Sequence, residues 1–290
     1  MRGLVGSGRG SWLAVLLLAV ATLWSGAAMA GVLDQIRSSK TIRIAYREDA
    51  PPFSYKGSDG QPAGFMVDLC RKVAQRIGKQ LDVADVKVVY VPVTGTNRIE
   101  AVSQARADML CEATSVTLAR RQQVDFSLMT FVDGASLMIR AGGPDDLKAM
   151  AGRKVGVLAG TTTEAALRNT LKRDGTNAEV VPLQTHRDGV AQLDDEKIVA
   201  YFADRSILMY LAPQSKAPGQ LQIANEYLTV EPYALALPRG DTEFRLAVDR
   251  ALSQIYRSGE IFALLRSVFG AEVKPSEILQ ALYVVSGLPD

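Results

Sequence analysis

"KVGVLAGTTTE", Lys154–Glu164, decides how this chain is organised. Val155, Val157 and Leu158 make a short β-rich run, Gly160 breaks it, and Thr161 opens a helix, so the stretch is a strand followed by a helix. Its position matters most. Three strand–helix pairs precede it: "TIRIAY" (41–46) with "GFMVDLCRKVAQRIG" (64–78, stopped at Gly78), "VKVVYVPV" (86–93) with a helix from about Asn97 to Arg106, and "ADMLCEA" (107–113) with a helix at Thr117. The alternation lapses near "LMIRAGG" (137–143), and Lys154 starts it again. A helix at 163–172, the strand "AEVVPL" (178–183), a helix at 187–193, the strand "KIVAYFA" (197–203) and a helix at 205–211 follow. "YALALP" (233–238) then leads into a C-terminal helical region, 241–284.

Each series reads βαβαβ, the order that predicts a parallel sheet covered by helices. The expected fold class is therefore α/β, with two lobes joined by two crossovers. Residues 31–138 and 232–290 form the first lobe, and 139–231 are inserted as the second. Ligands of open α/β sheets sit beyond the carboxyl ends of the strands. Two such units joined by two crossings leave a cleft between them, a geometry suited to hinge closure. No glycine-rich phosphate loop and no repeat of 20–50 residues is present.

The N-terminus addresses the chain to export. Arg2 and Arg9 precede the apolar run "WLAVLLLAVATLW" (12–24), and "AMA" (28–30) is a small-x-small cleavage site, the pattern of a secretory signal peptide removed after Ala30. No cysteine follows for lipid attachment, and no second apolar run approaches membrane-spanning length. Loss of the two arginines takes the formal charge from +2 to 0. That balance argues against a nucleic-acid partner and against a polybasic grip on a membrane. The expected product is a soluble periplasmic protein, a monomer, with no direct membrane insertion. Cys70 and Cys111 are the only cysteines. An oxidising compartment permits a disulfide between them, but a helix cysteine and a strand-end cysteine read more simply as buried small hydrophobes. One histidine and no paired-ligand spacing give no metal site, and no cofactor is expected.

The residues after each strand supply the chemistry. Arg47 ends the first, and Arg98 follows the second in the first turn of a helix capped by Thr96 or Asn97. Ser115, Thr117 and Arg120 follow the third. In the second unit Thr161 caps a helix, with Glu164 completing a capping box. His186 follows the next strand, and Asp204 stands as the cap of "RSILMYLA". Arg98 and Arg120 sit at helix starts, where the backbone is already positive and cations are disfavoured. An anion in the cleft would reconcile them. A guanidinium offers a carboxylate two parallel donors, and a helix start adds backbone N–H groups. Arg121 points about 100° away, to the surface. Asp204, from the opposite lobe, supplies the carboxylate. A carboxylate site on one side and a carboxylate on the other describe an α-amino acid.

Over nearly all of the mature chain the sequence resembles the periplasmic solute-binding proteins of bacterial ABC importers, in the polar amino acid family (solute-binding protein family 3). The marks are "PPFSYKGSDGQPAGFMVDL" (51–69), "SVTLARRQQVDFS" (115–127), "KVGVLAGTTTE" and "AYFADRSIL" (200–208). The resemblance implies the two-lobed type II periplasmic binding protein-like fold and an inner-membrane ABC permease as partner. It implies that Arg120 holds the ligand α-carboxylate with Ser115 and Thr162, and that Asp204 and the backbone near Ala113 take the α-ammonium. "TNRI" and "QTHRDG" look like the glutamate/aspartate branch, which places Arg47, Arg98 and His186 at a distal carboxylate. His186 would be charged there, and a ligand without that carboxylate would leave Arg47 and Arg98 short of an anion. Leu118 and Ala119 depart from the family's Pro or Glu. Glu112 stands where small residues are common; it is a second ammonium partner, a clash with acidic ligands, or a residue facing away. Another polar amino acid is the neighbouring alternative. A lyase resembling cyclohexadienyl dehydratase, with Glu112 as buried general acid, is the enzyme alternative on the same fold.

Overall fold

The computed structural model describes Gly3 and residues 31–289. The signal-peptide reading, and its cleavage after Ala30, lies outside the described residues. Elements run in chain order as α1 (Val32–Ser39), β1 (Thr41–Arg47), β2 (Asp49–Ala50), β3 (Ser54–Lys56), β4 (Pro62–Ala63), α2 (Phe65–Gln80), β5 (Lys87–Val93), α3 (Arg98–Ser103), β6 (Met109–Leu110), α4 (Leu118–Arg121) and β7 (Val124–Asp133). The second half follows as β8 (Ala135–Arg140), β9 (Lys154–Leu158), α5 (Thr162–Arg173), β10 (Glu179–Leu183), α6 (His186–Asp194), β11 (Ala200–Asp204), α7 (Arg205–Leu211) and β12 (Leu221–Ile223). The chain ends with β13 (Glu231–Pro238), α8 (Thr242–Arg257), α9 (Glu260–Phe269) and α10 (Glu277–Ser286).

Two five-stranded sheets result, ordered β5-β1-β6-β13-β7 and β10-β9-β11-β8-β12, beside a small β2-β3-β4 sheet. The expected parallel core is present in each: β1 lies between β5 and β6 in parallel, and β9 between β10 and β11. Neither sheet is wholly parallel. β13 pairs antiparallel with β6 and β7, and β8 pairs antiparallel with β11 and β12. The strands that carry the chain between sheets arrive from the other lobe, so they enter against the local direction and need no helical crossover.

β7 belongs to the first sheet and β8 to the second, with Gly134 alone between them. A Cβ at Gly134 would come within 2.4 Å of the Thr229 carbonyl oxygen on the returning segment, so the two crossings touch there. α2 packs its stripe of Phe65, Met66, Leu69, Cys70, Val73, Ala74 and Ile77 into the first lobe, the spacing of an amphipathic helix. Gly78 does not stop α2, which runs on to Gln80; the glycine is there because a Cβ would meet the Val86 side chain at 2.8 Å. Phe53, Phe65, Phe131, Tyr233 and Phe269 form a continuous aromatic cluster in the same core.

The two cysteines are not separate hydrophobes. Cys70 of α2 and Cys111, just past β6, form a disulfide with Cα atoms 6.3 Å apart. Both are fully buried. Burial was the part of the expectation that held; it did not exclude the bond, because helix and strand end meet face to face in this core. Among the described residues no helix is long and apolar enough to cross a membrane.

Candidate functional site

The strand ends converge as the topology requires. One small cavity, about 20 Å³ in this closed arrangement, is lined from the first lobe by Arg47, Arg98, Glu112, Ala113 and Ser115, and from the second by Thr161, Thr162, Thr163, His186 and Asp204. Eight of the nine sequence-selected residues are therefore on its wall. The ninth, Arg120, lies just behind it. Its Nη1 donates to the Ser115 carbonyl at 2.7 Å, and it feels Arg98, Glu112, Glu231 and Asp204. Burial, then the neighbouring Arg98, lower its pKa to about 10, so it remains a cation at neutral pH.

Local structure explains each placement. Thr117 caps α4 by accepting from the Arg120 N–H, but α4 is a single turn, too short for a substantial helix dipole. The tension read from the sequence is thus milder than expected: the Arg120 guanidinium folds back onto its own connecting segment. Arg121 is exposed and lies over the Phe126 ring, the surface role expected of it. In the second lobe, Thr161 caps α5 by accepting from Glu164 N–H. Glu164 reaches back one residue further, to the Gly160 N–H, so the expected box is displaced by one position. The reciprocal capping box occurs instead at Thr185 and Asp188, ahead of His186. Asp204 occupies the cap position of α7 but makes no side-chain cap bond. It accepts from the Thr163 hydroxyl at 3.3 Å instead, which leaves the carboxyl facing the cavity.

The charges in the wall are matched more fully than sequence reasoning anticipated. Arg47, 1% exposed, donates Nε and Nη2 to Asp49 Oδ1 at 2.8 and 2.5 Å. Arg98, 3% exposed, places Nε 3.4 Å from Glu112 Oε1 and donates Nη2 to the Gly160 carbonyl across the cleft at 3.4 Å. Both arginines approach Gly95, where a Cβ would lie 3.4 Å from Arg47 Nη1, 3.6 Å from Arg98 Nη1 and 2.9 Å from the Ala159 carbonyl oxygen of the other lobe. The approach of the Ala159 carbonyl is what excludes a side chain at Gly95; the two arginine distances are ordinary contacts. The expectation that the two arginines would lack an anion unless the ligand supplied one is corrected: Asp49 and Glu112 already stand beside them. Glu112 itself faces the cavity; it does not point away.

His186 also departs from expectation. Its ring is buried, and burial followed by the field of Arg47 lowers its pKa to about 3. The imidazole is therefore neutral, with Nδ1 2.7 Å from the Tyr201 hydroxyl, while its backbone N–H donates to Asp49 Oδ2 at 3.3 Å. A third cation so close to two guanidinium groups, out of water, would be costly.

Sequence reading missed the acids behind the site. Asp133 and Glu231 face each other in the register of the two crossing strands. Glu231 accepts from the hydroxyls of Thr229 (2.7 Å) and Thr162 (3.0 Å), and Ser115 Oγ lies 3.2 Å from Thr162 Oγ1. Burial, then Asp133 and Glu231, push the Asp204 carboxyl up to about 7. Asp49 had a signal, two residues beyond Arg47 in "REDAPPF"; Glu231 and Asp133 had none, since nothing in sequence brings the crossings together.

Two lobes meeting at a charged, buried cleft over the carboxyl ends of their strands is the arrangement of a type II periplasmic binding protein. The chain belongs to the bacterial extracellular solute-binding proteins, family 3, whose sequence profile matches residues 42–271. Among its relatives is the L-glutamate/L-aspartate-binding protein of Pseudomonas aeruginosa, 31% identical over 254 residues, 85% of this chain and 82% of that one. The glutamate/aspartate import solute-binding protein of Escherichia coli is 28% identical over 236 residues, 80% of this chain and 78% of the other. Among solved structures, the ancestral amino acid-binding protein AncCDT-1, a precursor of cyclohexadienyl dehydratase, superposes with a TM-score of 0.72 at 25% identity, covering 83% of this chain and all of that one (100%).

Proposed function

We propose that this chain is the periplasmic receptor of an ABC importer, capturing an L-α-amino acid of the glutamate/aspartate type between its lobes and presenting it to an inner-membrane permease. The observation that carries the reading is the division of charge across the cleft. Arg120 with Ser115 and Thr162 forms a carboxylate end, Asp204 with the Ala113 backbone an ammonium end, and Arg47, Arg98 and His186 a polar distal end. The relatives' ligands agree with this. The lobes expected from the sequence, 31–138 with 232–290 and 139–231, shift by a few residues when drawn by sheet membership, to 31–133 with 231–289 and 135–223, with the crossings at Gly134 and ahead of Glu231 as the hinge. Export with cleavage after Ala30 completes the reading, and the N-terminal sequence of the exported protein tests it: a chain still beginning at Met1 overturns it.

A thermal-shift panel of the twenty amino acids tests the function. A ligand that binds only the folded protein stabilises it by about 2.7 kcal/mol at a hundredfold excess over Kd. Glutamate or aspartate is expected to raise Tm with concentration; a panel in which no amino acid does so overturns the receptor reading. The lyase alternative assigns Glu112 to donate a proton. In the structure Glu112 accepts from the Thr114 hydroxyl and sits against Arg98, so its side chain is engaged by protein partners. No loss of arogenate on incubation with the protein is the expected result.

Asp204 makes binding pH-dependent. Its raised pKa means the ligand-free closed form holds a proton that the unfolded chain gives up near the ordinary aspartate value of 3.8. This group's contribution to stability is present at low pH and is lost as pH rises through about 7. The ligand ammonium requires the ionised form, so binding must displace that proton. Affinity is expected to fall as pH drops below about 7, by up to tenfold per unit. Titration calorimetry between pH 5 and 8 reads this directly, and a flat profile contradicts the assignment of Asp204 to the ammonium.

A further inference from the structure

We infer that Glu112 is a specificity-determining residue whose carboxylate serves as an internal counter-ion to Arg98, so that the cleft accepts a carboxamide side chain as well as a carboxylate one. This rests on the receptor reading above and narrows it to a ligand class: L-α-amino acids ending in either carboxylate or carboxamide.

The geometry is local and well supported. Glu112 is 1% exposed and sits one residue beyond Cys111, which the disulfide fixes to α2. Its Oε1 accepts from Thr114 and lies 3.4 Å from Arg98 Nε, yet that Nε makes no hydrogen bond and is buried. The pair therefore cancels charge without using Nη1 or Nη2, of which Nη2 donates to the Gly160 carbonyl across the cleft. Arg47 shows the same division: Asp49 takes Nε and Nη2, while Nη1 approaches Gly95 beside Arg98 Nη1.

A guanidinium N–H donates to an amide oxygen as readily as to a carboxylate oxygen. What separates the two ligands is net charge, since specificity is a difference of two binding energies. With Asp49 and Glu112 in place and His186 neutral, a ligand carboxylate meets no uncompensated cation at the distal end. It also faces Glu112, a like charge that costs binding energy in a site with little water. A carboxamide escapes that repulsion, and its NH₂ group is a donor suited to the Glu112 carboxylate.

The test compares Kd for L-glutamate and L-glutamine by calorimetry at pH 8, where Asp204 is ionised, in wild type and Glu112→Gln. Glutamine accepts from Thr114 as the carboxylate does, and removes only the charge. In wild type the two affinities are expected to lie within about tenfold of each other. In Glu112→Gln the preference is expected to move toward glutamate by at least tenfold. A wild-type preference for glutamate of a hundredfold or more, or an unchanged ratio in the variant, overturns the inference. The wild-type comparison decides by itself if the variant does not fold. Failure of every amino acid to bind would instead sink the receptor reading, a separate outcome.

Discussion

Replacing Arg120 with alanine is expected to weaken amino-acid binding by a factor of about thirty to several thousand while leaving the protein folded. The side chain is half-buried and held by a 2.7 Å hydrogen bond to the Ser115 carbonyl, so its guanidinium is oriented before a ligand arrives. Preorganisation of that kind removes an ordering cost from binding. With Arg120 absent, the ligand α-carboxylate would enter a wall that holds Glu112, Glu231 and Asp204, with no cation in the assigned place. Stranding one charge of a buried pair costs about 2–5 kcal/mol. The ligand-free protein should be little affected, because Arg120 sits at a one-turn helix outside the apolar cores and its removal also relieves repulsion from Arg98. Calorimetry for affinity and a melting curve for folding separate the two effects. Arg120→Lys should remain impaired, since an ammonium cannot reproduce the planar pair of donors. Wild-type affinity in Arg120→Ala would show that the carboxylate end has been assigned to the wrong residue.

Breaking the Cys70–Cys111 bond is expected to cost about 4 kcal/mol of folding free energy, from the loop-closure entropy of a cross-link spanning 41 residues. That is a large share of the stability of a typical domain. The cross-link does more than restrict the unfolded chain. Cys111 stands immediately before Glu112–Ser115, so the bond fastens one wall of the cleft to the long, well-packed helix α2. Urea unfolding of Cys70→Ser/Cys111→Ser beside wild type measures the stability term, and ligand titration of the same variant measures the wall. An unchanged midpoint of unfolding would mean that the packing around α2 holds this segment unaided.

How much of this was legible beforehand depends on the range of each interaction. Strand–helix alternation is a local property, so the restart at Lys154 revealed two α/β units, and topology alone then put Arg47, Arg98, Thr161, His186 and Asp204 at one cleft. Pairings distant in the chain were not legible. Asp49 meets the backbone of His186 from 137 positions away, and Glu231 meets Thr162 from 69. The ligand-free state of His186 has the same origin: a charged imidazole was expected from a nearby ligand carboxylate, while burial beside Arg47 and contact with Tyr201, which favour the neutral ring, depend on residues elsewhere in the sequence. Charge balance inside a cleft is a sum over three dimensions, and residue types along a chain do not reveal it. The two crossings were expected, but the antiparallel direction of their strands was not, for a plainer reason. β7 and β8 are separated by a single glycine, which reads as one continuous run.

The hydroxyl chain from Ser115 through Thr162 to Glu231 links first lobe, second lobe and returning crossing in three consecutive groups. Arg98 to the Gly160 carbonyl and the His186 N–H to Asp49 add two more bridges over the same gap. All of these must part before a captured molecule can leave, whereas none needs to exist when it arrives. Escape is therefore governed by how often the jaws open, and entry by diffusion into an open mouth. Substitutions along this seam should lengthen or shorten the residence time and leave the association rate nearly constant. Delivery then becomes a mechanical matter: whatever accepts the cargo must hold the two halves apart long enough for it to pass.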